Sequence, residues 1–184
     1  MYIDRIYYPV ETLGYGKRLG VWTIGCPHHC KNCSNPELQD INSNKSIKVN
    51  DVIKIIQQFK YKIDGITITG GDPFYQYNDL LDLLIKINSI ELFDVLVYTG
   101  YTMEEIIKLN YTEALKYIGV LIDGRYEVEF DNGVGMAGSQ NQKVYILKDE
   151  LSIRYANFKQ EKRKSQLVNY NGELWSIGIP IKIN

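Results

Sequence analysis

The chain's only three cysteines fall inside one eight-residue window, Cys26-Pro27-His28-His29-Cys30-Lys31-Asn32-Cys33. An odd and tightly clustered count argues against a disulfide framework and for a reducing compartment. The C-x3-C-x2-C spacing points to metal instead. Yet three thiolates are one short of a closed site, because structural zinc and ordinary 4Fe-4S clusters usually take four protein ligands. A cluster held by Cys26, Cys30 and Cys33 keeps one iron without a protein ligand, and an open coordination position is where a metal does chemistry. A zinc site completed by His28 or His29 is the competing reading, since thiolate and imidazole both suit zinc. Such sites usually draw on two separated ligand pairs, and the sequence holds no second pair. Otherwise the two histidines read as polar loop groups or as donors to cluster sulfurs, and three free buried thiols so close together would be unusual.

At 184 residues, 45% hydrophobic and 23% charged, the chain is expected to form one globular domain, 1–184, with a substantial core. Its net charge of −1, from 21 basic and 22 acidic side chains, advertises no nucleic-acid or membrane partner. No apolar run approaches the roughly 20 residues of a membrane helix. Asp4, Arg5, Glu11, Lys17 and Arg18 break up any signal-peptide core. A cytoplasmic protein is the expectation.

Short apolar runs alternate with helical patterns, which predicts an α/β fold with a parallel sheet and crossover helices. The runs that read as strands are Val21–Ile24, Gly65–Thr69, Asp94–Tyr98, Ile118–Ile122 and Lys143–Leu147. Asn50 and Asn78 can cap the first two helices, and Thr102 with Glu105 forms a capping-box pattern for a third. Residues Gly124 to Gln142 make a long connection of the kind that is often functional. Lys159 to Lys164 reads as a solvated helical face. Asn171-Gly172, flanked by Leu167–Tyr170 and Glu173–Trp175, predicts a C-terminal hairpin appended to the sheet.

The motifs follow successive strands. The cysteine loop comes after the first, Thr69-Gly70-Gly71-Asp72-Pro73 after the second, Thr99-Gly100-Tyr101 after the third and Asp123 after the fourth. In a parallel α/β barrel such loops gather at one face, the one that carries the active site. Glycines at Gly70 and Gly71 let a ligand approach the backbone, and Pro73 locks the turn.

The cysteine window together with a glycine-glycine-acidic-proline turn resembles the radical S-adenosylmethionine superfamily. Further segments are similar to the activating proteins of anaerobic ribonucleotide reductases: Cys33-Ser34-Asn35-Pro36-Glu37, Tyr98-Thr99-Gly100-Tyr101-Thr102, Val120-Leu121-Ile122-Asp123-Gly124-Arg125-Tyr126 and Gly138-Ser139-Gln140-Asn141-Gln142-Lys143. The likeness runs from about Tyr7 to Leu147. Residue 32 departs from the wider superfamily, which carries an aromatic there, and Asn32 is nearer the glycine of the reductase activators.

The resemblance implies a partial parallel β/α barrel whose core spans about 7–147, with 148–184 as a helix and hairpin extension. It implies one 4Fe-4S cluster on Cys26, Cys30 and Cys33, with S-adenosylmethionine on the fourth iron. The amino group of S-adenosylmethionine would be held by Gly70, Gly71 and Asp72. Thr99 would contact its ribose or carboxylate, and Asn32 and Ser34 would lie near its nucleoside. A flavodoxin or ferredoxin-type donor would reduce the cluster, and the 5′-deoxyadenosyl radical would take a hydrogen atom from a glycine of the partner reductase. The alternatives are another radical S-adenosylmethionine enzyme, acting on a different glycyl-radical enzyme or a small molecule, and a zinc-binding interaction module. Asp123 and Arg125 read equally well as a surface ion pair or as groups near the target. Ser139 to Lys143 have no evident role, because a parallel fifth strand would start at the face away from the cofactor.

Overall fold

The computed structural model describes residues 1–180. A six-stranded sheet runs in the order β1 (Ile3–Val10), β2 (Arg18–Thr23), β3 (Gly65–Gly70), β4 (Val95–Tyr98), β5 (Val120–Asp123) and β6 (Lys143–Ile146). Strands β2 to β5 are parallel, and both edges, β1 and β6, are antiparallel. The parallel strands are covered on both faces, which is why they read as unbroken apolar runs rather than alternating ones.

Three helices return the chain between strands: α1 (Val49–Phe59), α2 (Tyr77–Ser89) and α3 (Met103–Lys108). Val52, Ile56, Leu80, Leu84, Ile87 and Ile106 from these helices form one core with Val21, Ile68 and Val97 of the sheet. The helices therefore share a face. The other face is closed by irregular chain and by the C-terminal segment: Met136 and Tyr155 pack on Leu96, Val120 and Ile122, while Val168 and Ile177 pack on Val10, Leu13 and Trp22.

Several local expectations shift. The α1 N-cap is Lys48, without a side-chain cap, and Asn50 sits inside the first turn. Asn78 likewise lies inside α2, because Pro73 starts a 3-10 turn over Pro73–Gln76 that runs directly into the helix. The Thr102–Glu105 capping box is present, with both reciprocal bonds. Residues 159–164 are not helical, and Arg163 is no solvated charge: its side chain is buried against Asp131 at 2.8 Å.

Two corrections bear on the site. The last strand of the main sheet is antiparallel, with Asp123 opposite Lys143, so residues 139–143 arrive at the same end as the cysteine loop. The C-terminal strands, β7 (Gln166–Tyr170) and β8 (Glu173–Ile177), form a separate two-stranded sheet rather than an appendage of the first. Their apolar residues Val168 and Ile177 pack with Val10, Leu13 and Trp22, and Gln166 Nε2 donates to Pro9 O at 2.8 Å, which ties the hairpin to β1 and β2.

Candidate active site

Strand β2 delivers the cysteine loop, and the chain returns to close it. Gly25 N donates to Leu38 O and Cys26 N to Gln39 O, both at 2.8 Å. Inside this ring the backbone turns left-handed at His29 (φ 48°) and Asn32 (φ 58°). Asparagine takes that conformation more readily than most residues, and an aromatic there would be strained. Asn32 thus shapes the loop and is itself exposed. Cys33 N donates to Cys30 O (3.3 Å), and Asn35 N donates to Cys33 Sγ (3.4 Å).

All three cysteines are half-buried. Burial pushes the Cys26 thiol up to about 11, partly opposed by the amides of His28 and His29. Burial also raises the Cys30 thiol, against the pull of the Tyr126 amide and the Arg125 charge.

The end of β3 lies against this loop. Thr23 and Gly70 are in register, and the ladder continues past the strand through Gly71 N to Thr23 O (2.8 Å) and Asp72 N to Gly25 O (2.7 Å). A Cβ on Gly71 would sit 2.5 Å from Gly25 O and 2.7 Å from Leu38 O, while one on Gly70, at φ +110°, would sit 2.5 Å from the Thr23 backbone. The sequence suggested glycines that admit a ligand. Both glycines line the cavity, and their lack of a side chain also lets the turn pack against the backbone of Thr23, Gly25 and Leu38.

Asp72 is fully buried and accepts from Phe74 N (2.9 Å), Thr99 Oγ1 (2.8 Å), Gly100 N (2.7 Å) and His28 Nε2 (2.9 Å). One carboxylate thereby joins the turn after β3, the turn after β4 and the cysteine loop. Thr99 spends its hydroxyl on Asp72 and accepts from Tyr101 N at 3.1 Å.

These turns enclose a cavity of about 680 Å³, lined by Cys26, Cys30, Cys33, Ser34, Gly70, Gly71, Asp72 and Thr99, but not by Asn32. That volume is within the range of small-molecule sites. Sequence reasoning missed its remaining walls. Gln142 and Tyr126 come from the β5–β6 connection, Arg5 from β1, and Trp175 with residues 176–180 from the hairpin and the segment after it. Arg5 stacks between Trp175, at 4.0 Å, and Trp22, at 5.2 Å. The Asn-Gly turn announced the hairpin, but nothing local tells which surface a hairpin covers.

Asp123 and Arg125 do not pair with each other. Asp123 is buried, accepting from Met103 N (2.7 Å) and Lys143 N (3.2 Å), and desolvation raises its pKa. Arg125 forks onto Glu105 at 2.8 and 3.0 Å, which holds the Glu105 carboxyl below its usual range.

The donor set suits an iron-sulfur cluster better than zinc. Cys26 Sγ, His28 and Asp72 do lie within 4.8 Å of one another, but the His28 ring nitrogen there is already bonded to Asp72. Among the described residues the three sulfurs do not gather within 4.8 Å, whereas tetrahedral zinc with Zn–S bonds of about 2.3 Å would hold them about 3.8 Å apart. Three thiolates lining one cavity, with no further cysteine in the chain, suit an iron-sulfur cluster.

Known proteins agree with this chemistry. Residues 12–145 match the family described as 4Fe-4S single cluster domain. The anaerobic ribonucleoside-triphosphate reductase-activating protein of Enterobacteria phage T4 is 34% identical over 150 residues, covering 79% of this chain and 94% of the phage protein. Its namesake in Escherichia coli is 31% identical, covering 77% and 97%. The pyruvate formate-lyase-activating enzyme of Clostridium pasteurianum is 25% identical over 130 residues, 66% of this chain and 52% of that one. This chain therefore belongs to the 4Fe-4S single cluster domain family and to the family of anaerobic ribonucleoside-triphosphate reductase-activating proteins.

Proposed function

We propose that the protein activates an anaerobic ribonucleoside-triphosphate reductase by generating a glycyl radical on it. The observation that carries this reading is a single cavity walled by three cysteines, the only ones in the chain, and by the Gly70–Asp72 turn. When bound, a 4Fe-4S cluster and S-adenosylmethionine supply one-electron cleavage of a sulfur–carbon bond and, through it, removal of a hydrogen atom from a glycine Cα.

The chain's own residues hold and orient. Cys26, Cys30 and Cys33, which line the cavity, would hold the cluster. The lone pairs of Asp72 are already engaged by four donors, so carbonyls of the Gly70-Gly71 turn accept from the amino group of S-adenosylmethionine while Asp72 adds charge and fixes the turn. Thr99 serves by ordering Asp72, and Ser34 lines the nucleoside end. Trp175 and its hairpin keep water out, which protects a reactive radical from stray hydrogen donors.

We read the whole of 1–184 as one domain whose core, about 7–147, is a partial barrel. Its helices share one face, and β1 and β6 do not meet. The gap between those edges gives a lateral entry for a peptide loop of the partner, and a flavodoxin or ferredoxin-type protein in the cytoplasm supplies the electron. No helix among the described residues is long and apolar enough to cross a membrane.

The test is to mix the anaerobically reconstituted protein with S-adenosylmethionine, a reductant and the organism's anaerobic reductase. The expected result is a glycyl-radical doublet in the electron paramagnetic resonance spectrum, about four irons per chain, and loss of both in each Cys→Ser variant. One zinc and no colour would establish the interaction-module alternative. The pyruvate formate-lyase-activating relative makes a different glycyl-radical partner the second reading, supported if only a formate-lyase-type enzyme gains the doublet.

A further inference from the structure

One cation in the cavity wall has no part in the reading above. Among the described residues Arg5 is the only lysine or arginine that lines the cavity. Two rings fix its guanidinium, with Cζ 4.0 Å from the centroid of Trp175 and 5.2 Å from that of Trp22. Only one corner of the group is well engaged: Nη1 donates to Asp4 Oδ2 at 2.8 Å. Nη2 reaches Asn35 Oδ1 at a long 3.5 Å and Glu37 Oε1 at 3.9 Å, and Nε is buried with no acceptor among the described residues. Nε and Nη2 make one edge of the guanidinium, and such an edge takes a carboxylate through two parallel hydrogen bonds. The charge is not cancelled locally, because Asp4 is shared with Lys45 Nζ at 3.3 Å and Glu37 is 57% exposed.

The place of this edge in the fold says which carboxylate it suits. Arg5 pairs with Trp22, and Trp22 with Thr69, so the Arg5 backbone stands two strand spacings, about 10 Å, from the start of the Gly70–Asp72 turn. The methionine carboxylate of S-adenosylmethionine shares a carbon with the amino group held at that turn, and stays beside it. Arg5 and Trp175 also lie outside residues 12–145, the stretch that matches the 4Fe-4S family. A wall built from both chain ends around that core suits what differs between activating proteins, the protein partner, rather than the cofactors. Strand β1 is moreover an edge of the sheet, at the gap through which the partner's loop enters in the proposed function.

We propose that Arg5 is a specificity-determining residue that binds an acidic side chain of the partner's glycine-bearing loop. Trp22 and Trp175 hold its plane, and the carboxylate of the loop closes on Nε and Nη2. This rests on the proposed function in taking a protein loop as the substrate.

The experiment compares the anaerobically reconstituted protein with its Arg5→Lys and Arg5→Gln variants. Lysine keeps a charge over the rings but has no planar fork, and glutamine has neither. Three quantities are read: the KM for the anaerobic reductase in glycyl-radical formation, the affinity for S-adenosylmethionine by calorimetry on the oxidised holoprotein, and hydrogen exchange across residues 166–177. Loss of hydrogen bonds to a charged group should raise the KM for the reductase about tenfold in both variants. The rise of that KM with salt in the parent should flatten in Arg5→Gln. Affinity for S-adenosylmethionine, iron content and the exchange of Arg5→Lys should stay at parent values. An unchanged KM for the reductase overturns the inference and leaves the proposed function intact. So does a fall in affinity for S-adenosylmethionine, which would make Arg5 a cofactor ligand. A raised KM with faster hairpin exchange in both variants also overturns it, since Arg5 would then be a clamp for the hairpin. A parent protein that forms no glycyl radical on the reductase removes the proposed function, and this inference with it.

Discussion

His28 Nε2 and Asp72 Oδ2 meet at 2.9 Å, so a ring carried by the cysteine loop closes on a carboxylate at the end of β3. Three further donors, from Phe74, Thr99 and Gly100, converge on the same carboxylate. The group is almost free of solvent, at 0% exposure. Asp72→Asn keeps the shape but turns an NH2 toward groups that are themselves donors. Hydrogen bonds to a charged group contribute about 1.5–3 kcal/mol, and a stranded buried partner costs as much again. The variant should lose about 3 kcal/mol in urea unfolding and retain little iron after reconstitution. His28→Ala, which removes one donor, should lose less than half as much.

What the sequence could disclose follows from the range of the interactions involved. The Thr102–Glu105 box and the Asn171-Gly172 turn were legible because each is complete within a few residues. The convergence of the cysteine loop with Asp72 and Thr99 was legible because parallel strands put their following loops at one end. The direction of β6 was not legible, since a four-residue apolar run carries no sign of parallel or antiparallel pairing. Nor was β1, where Tyr7, Tyr8 and Pro9 break the alternation that marks a strand. The true partners of Asp72 and of Arg163 lie tens of residues away, beyond any local pattern.

The two glycines of the turn should differ from a third in cost. A Cβ on Gly71 meets carbonyl oxygens of the backbone, which cannot rotate aside. Gly172, at φ +88° in the β7–β8 turn, has nothing within 4 Å. Gly71→Ala should therefore cost about 3 kcal/mol through overpacking, and Gly172→Ala only about 1 kcal/mol through backbone strain. Thermal unfolding of the two variants side by side checks the ordering.

The hairpin over the cavity is held by side chains, because β7 and β8 share no ladder with the main sheet. Trp175 stacks on Arg5 and on Tyr170, whose ring centroid lies 4.4 Å away. On the opposite face Leu174 is 75% exposed. Trp175→Ala should cost about 1–2 kcal/mol, below the value for a fully buried aromatic, and raise hydrogen exchange selectively across residues 166–177. Leu174→Ser should change stability by no more than about 0.5 kcal/mol and leave exchange unaltered.

At the other end of the sheet, Arg18 is completely buried and donates to Asp94 Oδ1 (3.0 Å), Thr67 Oγ1 (2.6 Å) and Tyr155 OH (3.1 Å), while Tyr155 OH donates to Asp94 Oδ1 (2.8 Å). Asp94→Ala strands the guanidinium and should cost about 3–5 kcal/mol. The same network gives an alkaline limit to stability. Burial, with Asp94 adding to it and Arg18 opposing, pushes the Tyr155 phenol well above the usual tyrosine range. A folded-state pKa above the unfolded value near 10 means that the contribution is fully present below pH 10. It is lost as pH rises, because the unfolded chain releases the proton first. Each tyrosine kept neutral by the fold should lower the unfolding free energy by about 1.4 kcal/mol per pH unit above pH 10. Tyr155→Phe should be less stable than the parent at pH 8, having lost the bond to Asp94, yet decline less steeply between pH 10 and pH 11.5. Urea unfolding across that interval measures both slopes, and parallel slopes would show that Tyr155 ionises in the folded protein as readily as in the unfolded chain.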